Sequence, residues 1–189
     1  MRQLCYHVVM KIVCIVGSLR EKSFNRAVFN TLVEAVPSGV SLSEAPIRDL
    51  PLYNADTEDK DMPESVKIFK NSIEEADGVI IITPEYNRSV PGVLKNAIDW
   101  ASRPDGGNSW AKKPVTLMGA TDGSLGTAPA QMHLKGVFTY LGSKQMGQPE
   151  FYLGRVKQVL SEDGTIIAEA SVRERVQKFL QAFITHIQK

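Results

Sequence analysis

The chain has 189 residues, 43% of them hydrophobic and 23% charged, which is enough to bury one core and favours a single domain over two. Its 22 Lys and Arg residues balance 21 Asp and Glu residues for a formal net charge of +1, so no overall field favours nucleic acid or an anionic membrane as a partner. Two cysteines, Cys5 and Cys14, lack the spacing of a redox pair or a zinc site. We therefore expect a cytoplasmic protein in a reducing compartment, without a metal.

The first twenty residues, MRQLCYHVVMKIVCIVGSLR, superficially resemble a secretory signal, with a positive charge near the start and small residues at the end. However, His7 and Lys11 interrupt the apolar stretch, and the residues that follow are typical of a buried strand. We interpret residues 1–10 as an N-terminal extension and residues 11–189 as a single domain. No apolar run of the sequence approaches the roughly 20 residues of a membrane span.

Short apolar runs predict the strands. KIVCIV at 11–16 and GVIIIT at 78–83 are continuous and β-branched, as in strands that are buried on both faces of a parallel sheet. PVTLMGA at 114–120 is a weaker example, and GVSLSEA at 39–45 alternates in the manner of a strand near an edge. We place the fifth strand within GSKQMGQPEF at 142–151. The sequence thus predicts a five-stranded parallel sheet.

Helical periodicity occupies the segments between these runs. One apolar stripe is formed by Val66, Phe69, Ile73 and Ala76. Asp61 is predicted to cap that helix, with Pro63 in its first turn. The longest stripe closes the chain, at Val172, Val176, Phe179, Leu180, Phe183, Ile184 and Ile187. This last helix would either meet a membrane or partner or pack on the sheet, and we favour packing.

The alternation of strand and helix predicts an α/β, doubly wound fold of three layers with right-handed crossovers. Ligands of such sheets bind beyond the carboxyl ends of the strands, where the strand order reverses. Two unusually polar loops are expected at that edge. One is GSLREKSFN at 17–25, after the first strand, and the other begins the stretch ITPEYNRSVPGVLKNAIDW at 82–100, after the third.

The loop at 17–25 has the groups that a phosphate monoester requires. It places Ser18, Arg20, Ser23 and Asn25 before a helix whose N-terminal end points back at them. The GxxxxGK[ST] spacing of a Walker loop is missing, and so is the GxGxxG of a dinucleotide turn, since only Gly17 is present. The alternative is an ordinary strand-to-helix loop in which Ser or Asn caps the helix.

Together, GSLREKSFN at 17–25 and TPEYNRSVPGVLKNAIDW at 83–100 resemble the NADPH-dependent FMN reductase family. This is the flavodoxin-like group that includes quinone, azo-dye and chromate reductases. The motifs occur in the family's order, after the first and third predicted strands, and the resemblance extends from residue 11 to the C-terminus. It implies a flavodoxin-like fold that binds FMN.

The resemblance also implies which residues bind the cofactor. The first loop would bind the FMN phosphate through Ser18, Arg20, Ser23 and Asn25, with Phe24 contributing its backbone. The second would wrap the flavin ring and ribityl chain through Pro84, Glu85, Tyr86 and Asn87. Proline fixes φ and asparagine adopts turn conformations readily, so the second loop can present backbone N–H groups to the ring. Ser89 is predicted to cap the helix that follows.

A third loop, TDGSLGTAPAQ at 121–131, is implied to cover the flavin edge through Thr121, Gly123 and Ser124. Many family members have a paired glycine and then an arginine where this chain has Gly126-Thr127 and Pro129. The mouth of the site is therefore expected to differ from theirs. His133, in the next helix, is interpreted as structural rather than catalytic.

By resemblance, the reaction is a ping-pong cycle in which NADPH or NADH gives a hydride to the flavin and a small-molecule acceptor then takes two electrons. The acceptor would be a quinone, chromate, an azo compound or free flavin. Flavin N5 would carry this chemistry, so no catalytic side chain is predicted. Arg88, beside the ring loop, is predicted to bind substrate by attracting an anionic acceptor or the extra phosphate of NADPH, although solvent or an interface would also accommodate it.

Two other functions stay open. A flavodoxin-type electron carrier would bind FMN without turning over a nicotinamide, but such carriers are usually acidic and this chain is not. A nucleotide-sensing module would need no ring-wrapping loop. We also expect a homodimer or homotetramer, because family members associate through helices near the flavin and the corresponding helices here are rich in apolar residues: Trp100, Val137, Phe138 and Leu141.

Overall fold

The computed structural model describes residues 9–104 and 106–189, so most of the predicted extension lies outside the described residues. The strands are β1 Met10–Val16, β2 Val40–Glu44, β3 Gly78–Ile82, β4 Pro114–Ala120, β5 Lys144–Gln145 and β6 Phe151–Leu153. The helices are α1 Phe24–Glu34, α2 Ala55–Lys60, α3 Glu64–Glu74, α4 Gly92–Ala101, α5 Ala128–Tyr140 and α6 Ala170–Ile187. The first strand begins at Met10, one residue inside the segment predicted as an extension.

The described strands form one parallel sheet in the order β2-β1-β3-β4-β5. This is the flavodoxin-like order, with its switch point between β1 and β3, and the predicted fold class is confirmed. The fifth position is filled by two short segments. β5 pairs with the start of β4 at Pro114 and Val115, whereas β6 pairs with the end of β4.

The sheet has a hydrophobic core on each face, which explains why its central strands are continuously apolar. Along β3, Ile80 and Ile82 face the core beneath α1 and α6, while Val79 and Ile81 face the core beneath α3, α4 and α5. The apolar stripe of α6 is buried in the first of these cores, so the packing interpretation is confirmed. Among the described helices, none is long and apolar enough to cross a membrane.

The start of α3 differs from the prediction. Its N-cap is Pro63, with no side-chain capping bond. Asp61 instead ends α2, a helix that the apolar pattern did not predict, and its carboxylate accepts a hydrogen bond from Lys67 Nζ at 3.2 Å. The predicted cap is therefore wrong, because a short polar helix occupies the residues just before α3.

The aromatic residues that suggested an oligomer interface lie inside the protomer. Trp100 is fully buried, and its Nε1 donates to the carbonyl of Pro51 at 2.8 Å. Phe138 is also fully buried, edge-on against Trp110 with 5.2 Å between ring centroids. These two side chains stabilise the single chain and provide no surface for a second copy.

Candidate active site at the carboxyl ends of the strands

A cavity of about 310 Å³ lies where β1, β3 and β4 end. Its lining residues are Ser18, Arg20, Ser23, Phe24, Asn25, Pro84, Glu85, Tyr86, Ala120 and Thr121. All but three of the predicted cofactor residues are among them. The three that lie outside the lining are Asn87, Gly123 and Ser124, and the predicted substrate residue Arg88 lies outside it as well.

The wall formed by the loop after β1 has unused hydrogen-bond donors. Within residues 9–104 and 106–189, the N–H groups of Ser18, Leu19 and Phe24 have no acceptor. Ser23 is the N-cap of α1, and its Oγ accepts from the N–H of Asn25 at 3.2 Å. The hydroxyls of Ser18 and Ser23 are buried but still have a proton to donate. Such donors before a helix N-terminus suit an anion.

Two arginines lie near this loop, and only one is available to a ligand. Arg26 forms a bidentate ion pair with Glu44 at the end of β2, with Nη2 and Oε1 2.7 Å apart, and this hydrogen bonding raises the pKa of Arg26. Arg20 is exposed, and its guanidinium lies 5.0 Å from the centroid of the Phe24 ring. No carboxylate in the described part of the chain pairs with Arg20.

Asn25 lies in the cavity wall, but its side chain has a partner that sequence reasoning missed. Nδ2 donates to the carbonyl of Ala120 at 3.1 Å, and Oδ1 accepts from the N–H of Ala120 at 2.9 Å. The residue is 1% exposed. Its amide therefore ties the start of α1 to the end of β4, which leaves one N–H of Nδ2 and one lone pair of Oδ1 for any ligand.

The loop after β3 contains a two-residue hairpin. Tyr86 and Ser89 exchange both backbone hydrogen bonds, at 3.1 and 2.9 Å. Between them, Asn87 and Arg88 have φ values of 51° and 63°. Positive φ at both central positions defines a type I′ turn, which asparagine tolerates and arginine adopts only with strain. The predicted turn conformation of Asn87 is therefore present, in a tighter form than expected.

The sequence predicted that Ser89 caps α4, and this prediction is wrong. The N-cap of α4 is Pro91, without a side-chain bond. The hydroxyl of Ser89 instead shares a hydrogen bond of 3.0 Å with Nδ1 of His133, on α5. Ser89 lies two residues before the N-cap, whereas a capping hydroxyl belongs to the N-cap residue itself.

Glu85 joins the same loop to α5. Its side chain is only 10% exposed. One carboxylate oxygen accepts from the N–H of Ala130 at 3.3 Å, and the other lies 3.4 Å from Nη1 of Arg88. A carboxylate at a helix N-terminus is stabilised by the helix dipole.

The third loop packs against the chain that follows β6. The N–H of Thr121 donates to Leu153 at 2.9 Å, and the carbonyl of Gly123 accepts from Arg155 at 3.0 Å. Thr127 has left-handed backbone geometry, with φ 69°, and its buried hydroxyl accepts from Gln131 at 3.0 Å. The bond from Gln131 therefore fixes the side chain of Thr127, at a position where the resemblance implies a glycine.

Cys14 does not line this cavity. Cys14 is fully buried, and burial raises the pKa of its thiol, so the reactive thiolate is suppressed. Cys5 lies outside the described residues. No group of three or more His, Cys, Asp and Glu residues in the described ranges could hold a metal ion.

Residues 10–158 match the family model of the NADPH-dependent FMN reductases. The chain belongs to this family. The reductase is accordingly a flavoenzyme with FMN as its cofactor and NAD(P)H as its hydride donor. The donors of the 17–25 loop and the aromatic side chain of Tyr86 lie on walls of one cavity, which fits a ligand that has a phosphate at one end and a flat ring at the other.

Individual relatives agree with this assignment over nearly the whole reductase. It is 45% identical over 177 residues to a 2-hydroxy-1,4-benzoquinone reductase of Burkholderia, covering 94% of this chain and 93% of the relative. The reductase is 38% identical over 183 residues to a quinone reductase of Escherichia coli K12, covering 95% of this chain and 96% of the relative. The solved structure of FerB, a flavoenzyme NAD(P)H:(acceptor) oxidoreductase from Paracoccus denitrificans, superposes with a TM-score of 0.88 at 39% identity, covering 95% and 98%.

Proposed function

We propose that the protein is an NAD(P)H:quinone reductase that works by a ping-pong cycle. The observation that carries this proposal is the single cavity shared by the donor-rich loop and the hairpin loop, with the half-exposed ring of Tyr86 in its wall. If the bound flavin exposes one face to this cavity, nicotinamide and acceptor would bind there in turn. The names of the Burkholderia and Escherichia coli relatives support a quinone as the acceptor. Chromate, azo compounds and free flavin are proposed as further acceptors.

The residues of the cavity would divide the cofactor between them. Ser18, Arg20, Ser23 and the free N–H of Phe24 would hold the phosphate, and Asn25 would brace that loop against β4. Pro84, Glu85 and Tyr86 would border the ring, with Asn87 shaping the turn. Thr121, Gly123 and Ser124 would form the remaining edge. Bound FMN supplies the two-electron chemistry, so the side chains have to bind and orient but need not act as acid or base.

An absorbance spectrum of the purified protein, followed by anaerobic titration, tests this function. We expect a flavin spectrum that NADPH or NADH bleaches and that a benzoquinone then restores. Steady-state rates at varied donor and acceptor should give parallel double-reciprocal lines. Colour that persists with both nicotinamides would indicate an electron carrier instead, and protein that takes up no FMN would indicate a module of another kind.

Arg88 is proposed to guide anionic substrates to the site. Its guanidinium is 71% exposed and paired with Glu85, so its charge should act on encounter more than on hydride transfer. Arg88→Ala should raise the KM of NADPH or chromate about 3- to 5-fold, the effect of one exposed charge. A neutral quinone should be affected less. Steady-state kinetics with each partner measures this.

Arg88→Lys is the matched control, because it keeps the charge and also a non-glycine residue at positive φ. It should retain most of the parent's KM values. Added salt should reproduce part of the loss in the parent and less of it in Arg88→Ala. Equal losses with charged and neutral acceptors would refute electrostatic guidance, and dissociation of an oligomer would place Arg88 at an interface.

A homodimer or homotetramer is proposed as the assembly. With Trp100 and Phe138 buried, the remaining support on α5 is the exposed Met132 and Tyr140. Light scattering would show a mass that is a multiple of the 20.9 kDa chain; a single-chain mass at micromolar concentration would refute it. The cytoplasm remains the proposed location, because the composition suits a reducing compartment, and cell fractionation checks it.

A further inference from the structure

The first turn of α5 lacks a cap of its own. The residue at its N-cap, Thr127, has left-handed geometry and makes no side-chain capping bond. The N–H of Ala128 donates to Leu125 at 3.1 Å, and Pro129 has no N–H. The remaining donor of the first turn, on Ala130, is satisfied by the carboxylate of Glu85. A residue of the hairpin loop therefore performs the capping that α5 cannot perform for itself.

A second contact joins the other end of the hairpin to the same helix. Ser89 closes the hairpin, and its hydroxyl bonds His133 at 3.0 Å. Residues 130 and 133 are three apart and so lie on one face of α5. Glu85 and Ser89 flank the turn residues, so the hairpin is attached to that face on both sides of the strained pair Asn87 and Arg88.

We propose that Glu85 and His133 are positioning residues, which hold the hairpin at 84–89 on α5 so that the cavity wall is already shaped for the flavin before it binds. This inference rests on the proposed function. A two-residue turn with positive φ at both positions needs support from its surroundings. Fixing a binding loop in its bound conformation improves affinity, since the cost of ordering it is removed from the binding step.

This role differs from direct contact between the Glu85 carboxylate and the cofactor, and a conservative variant separates the two. In Glu85→Gln, the amide oxygen can still accept from Ala130, whereas the negative charge is lost. In Glu85→Ala, both are lost. Positioning predicts that glutamine rescues; direct action of the charge predicts that glutamine and alanine are equally harmful.

The experiment is a titration of apoprotein with FMN, followed by quenching of flavin fluorescence. We expect Glu85→Ala to weaken FMN binding about 10-fold, which corresponds to the loss of one hydrogen bond to a charged group. The FMN affinity of Glu85→Gln should stay within about 3-fold of the parent's. Asp99→Ala is the control, since Asp99 pairs with Lys95 on α4 outside the cavity, and it should bind FMN as the parent does.

His133 is tested with two variants of opposite design. Asparagine places a polar atom near the position of Nδ1 and should keep the bond to Ser89, whereas glutamine reaches toward Nε2 and should lose it. His133→Gln should therefore weaken FMN binding, and His133→Asn should weaken it less. The expected effect of glutamine is only about 3-fold, because the bond to Ser89 is exposed. His186→Gln is the control, since His186 lies near the C-terminus, where its imidazole shares a hydrogen bond with the carbonyl oxygen of Lys144.

The variants separate positioning from the alternatives. Rescue by glutamine at 85 and by asparagine at 133, with control affinities unchanged, supports positioning. Equal FMN affinity in all variants overturns the positioning role. A lower unfolding midpoint in Glu85→Ala without any change in FMN affinity overturns it as well, because the contact would then be merely structural. A parent that binds no FMN would refute the proposed function instead, so the two failures are distinguishable.

Discussion

Gly119→Ala is expected to destabilise the protein by about 3 kcal/mol and to weaken FMN binding as well. A Cβ on this residue of β4 would lie 1.8 Å from Oγ1 of Thr127 and 2.5 Å from the carbonyl oxygen of Thr83. The second atom is backbone, at the point where the chain leaves β3 for the hairpin loop, so it cannot swing away. The added methyl group would have to separate α5 from the end of β3, which moves the walls of the cavity.

Thermal unfolding of the apoprotein measures the effect, and a drop of roughly 6–12 °C corresponds to that destabilisation in a domain of this size. Gly136→Ala is the matched control. It lies exposed on α5, a Cβ there would meet nothing within 4 Å, and alanine favours helix over glycine by about 1 kcal/mol. The control should be neutral or stabilising. An unchanged midpoint in Gly119→Ala would show that the contact at Thr127 relaxes easily.

The sequence predicted the parts of the fold that depend on burial. The apolar run at 114–120 predicts a strand with the bounds that β4 has, because both faces of a central strand require apolar residues. The predicted fifth strand was diffuse for a physical reason: Gly147 and Pro149 lie between β5 and β6, and proline has no N–H for a sheet ladder. Helix α2, with the sequence ADTEDK, has no apolar stripe to predict it.

In the site, likewise, the residue types could be predicted from the sequence, whereas the contacts between distant residues could not. Loop chemistry predicted Ser18, Arg20, Ser23 and Asn25, because a phosphate requires such donors, whereas the other predicted cavity residues were implied by the resemblance to the family. The contacts of Asn25 with Ala120 and of Glu85 with Ala130 join residues far apart in sequence, and no local pattern predicts them. One signal was available: the Asn-Arg pair between Tyr86 and Ser89 occupies the turn of a hairpin, where asparagine is favoured at positive φ.

Arg20→Ala should weaken FMN binding about 10-fold or more, while leaving intact the chemistry of the protein that remains loaded. A charge-assisted hydrogen bond to phosphate contributes roughly 1.5–3 kcal/mol, or about 10- to 150-fold in affinity. Because Arg20 is exposed and stacked on Phe24, the low end of that range is expected, with a loss that salt reduces. Arg26 cannot substitute for it, since Glu44 holds its guanidinium.

Two comparisons tie that loss to the phosphate. Lys22→Ala removes a charge from the same loop at a residue outside the cavity lining, so its FMN affinity should stay near that of the parent. Riboflavin lacks the phosphate, so the parent and Arg20→Ala should bind it equally, and the gap between FMN and riboflavin should shrink in the variant. Arg20→Lys should fall between parent and alanine, because it keeps the charge but loses the planar fork that matches a phosphate. If Arg20→Ala weakens riboflavin as much as FMN, then Arg20 acts on the ring or on the loop's conformation and not on the phosphate.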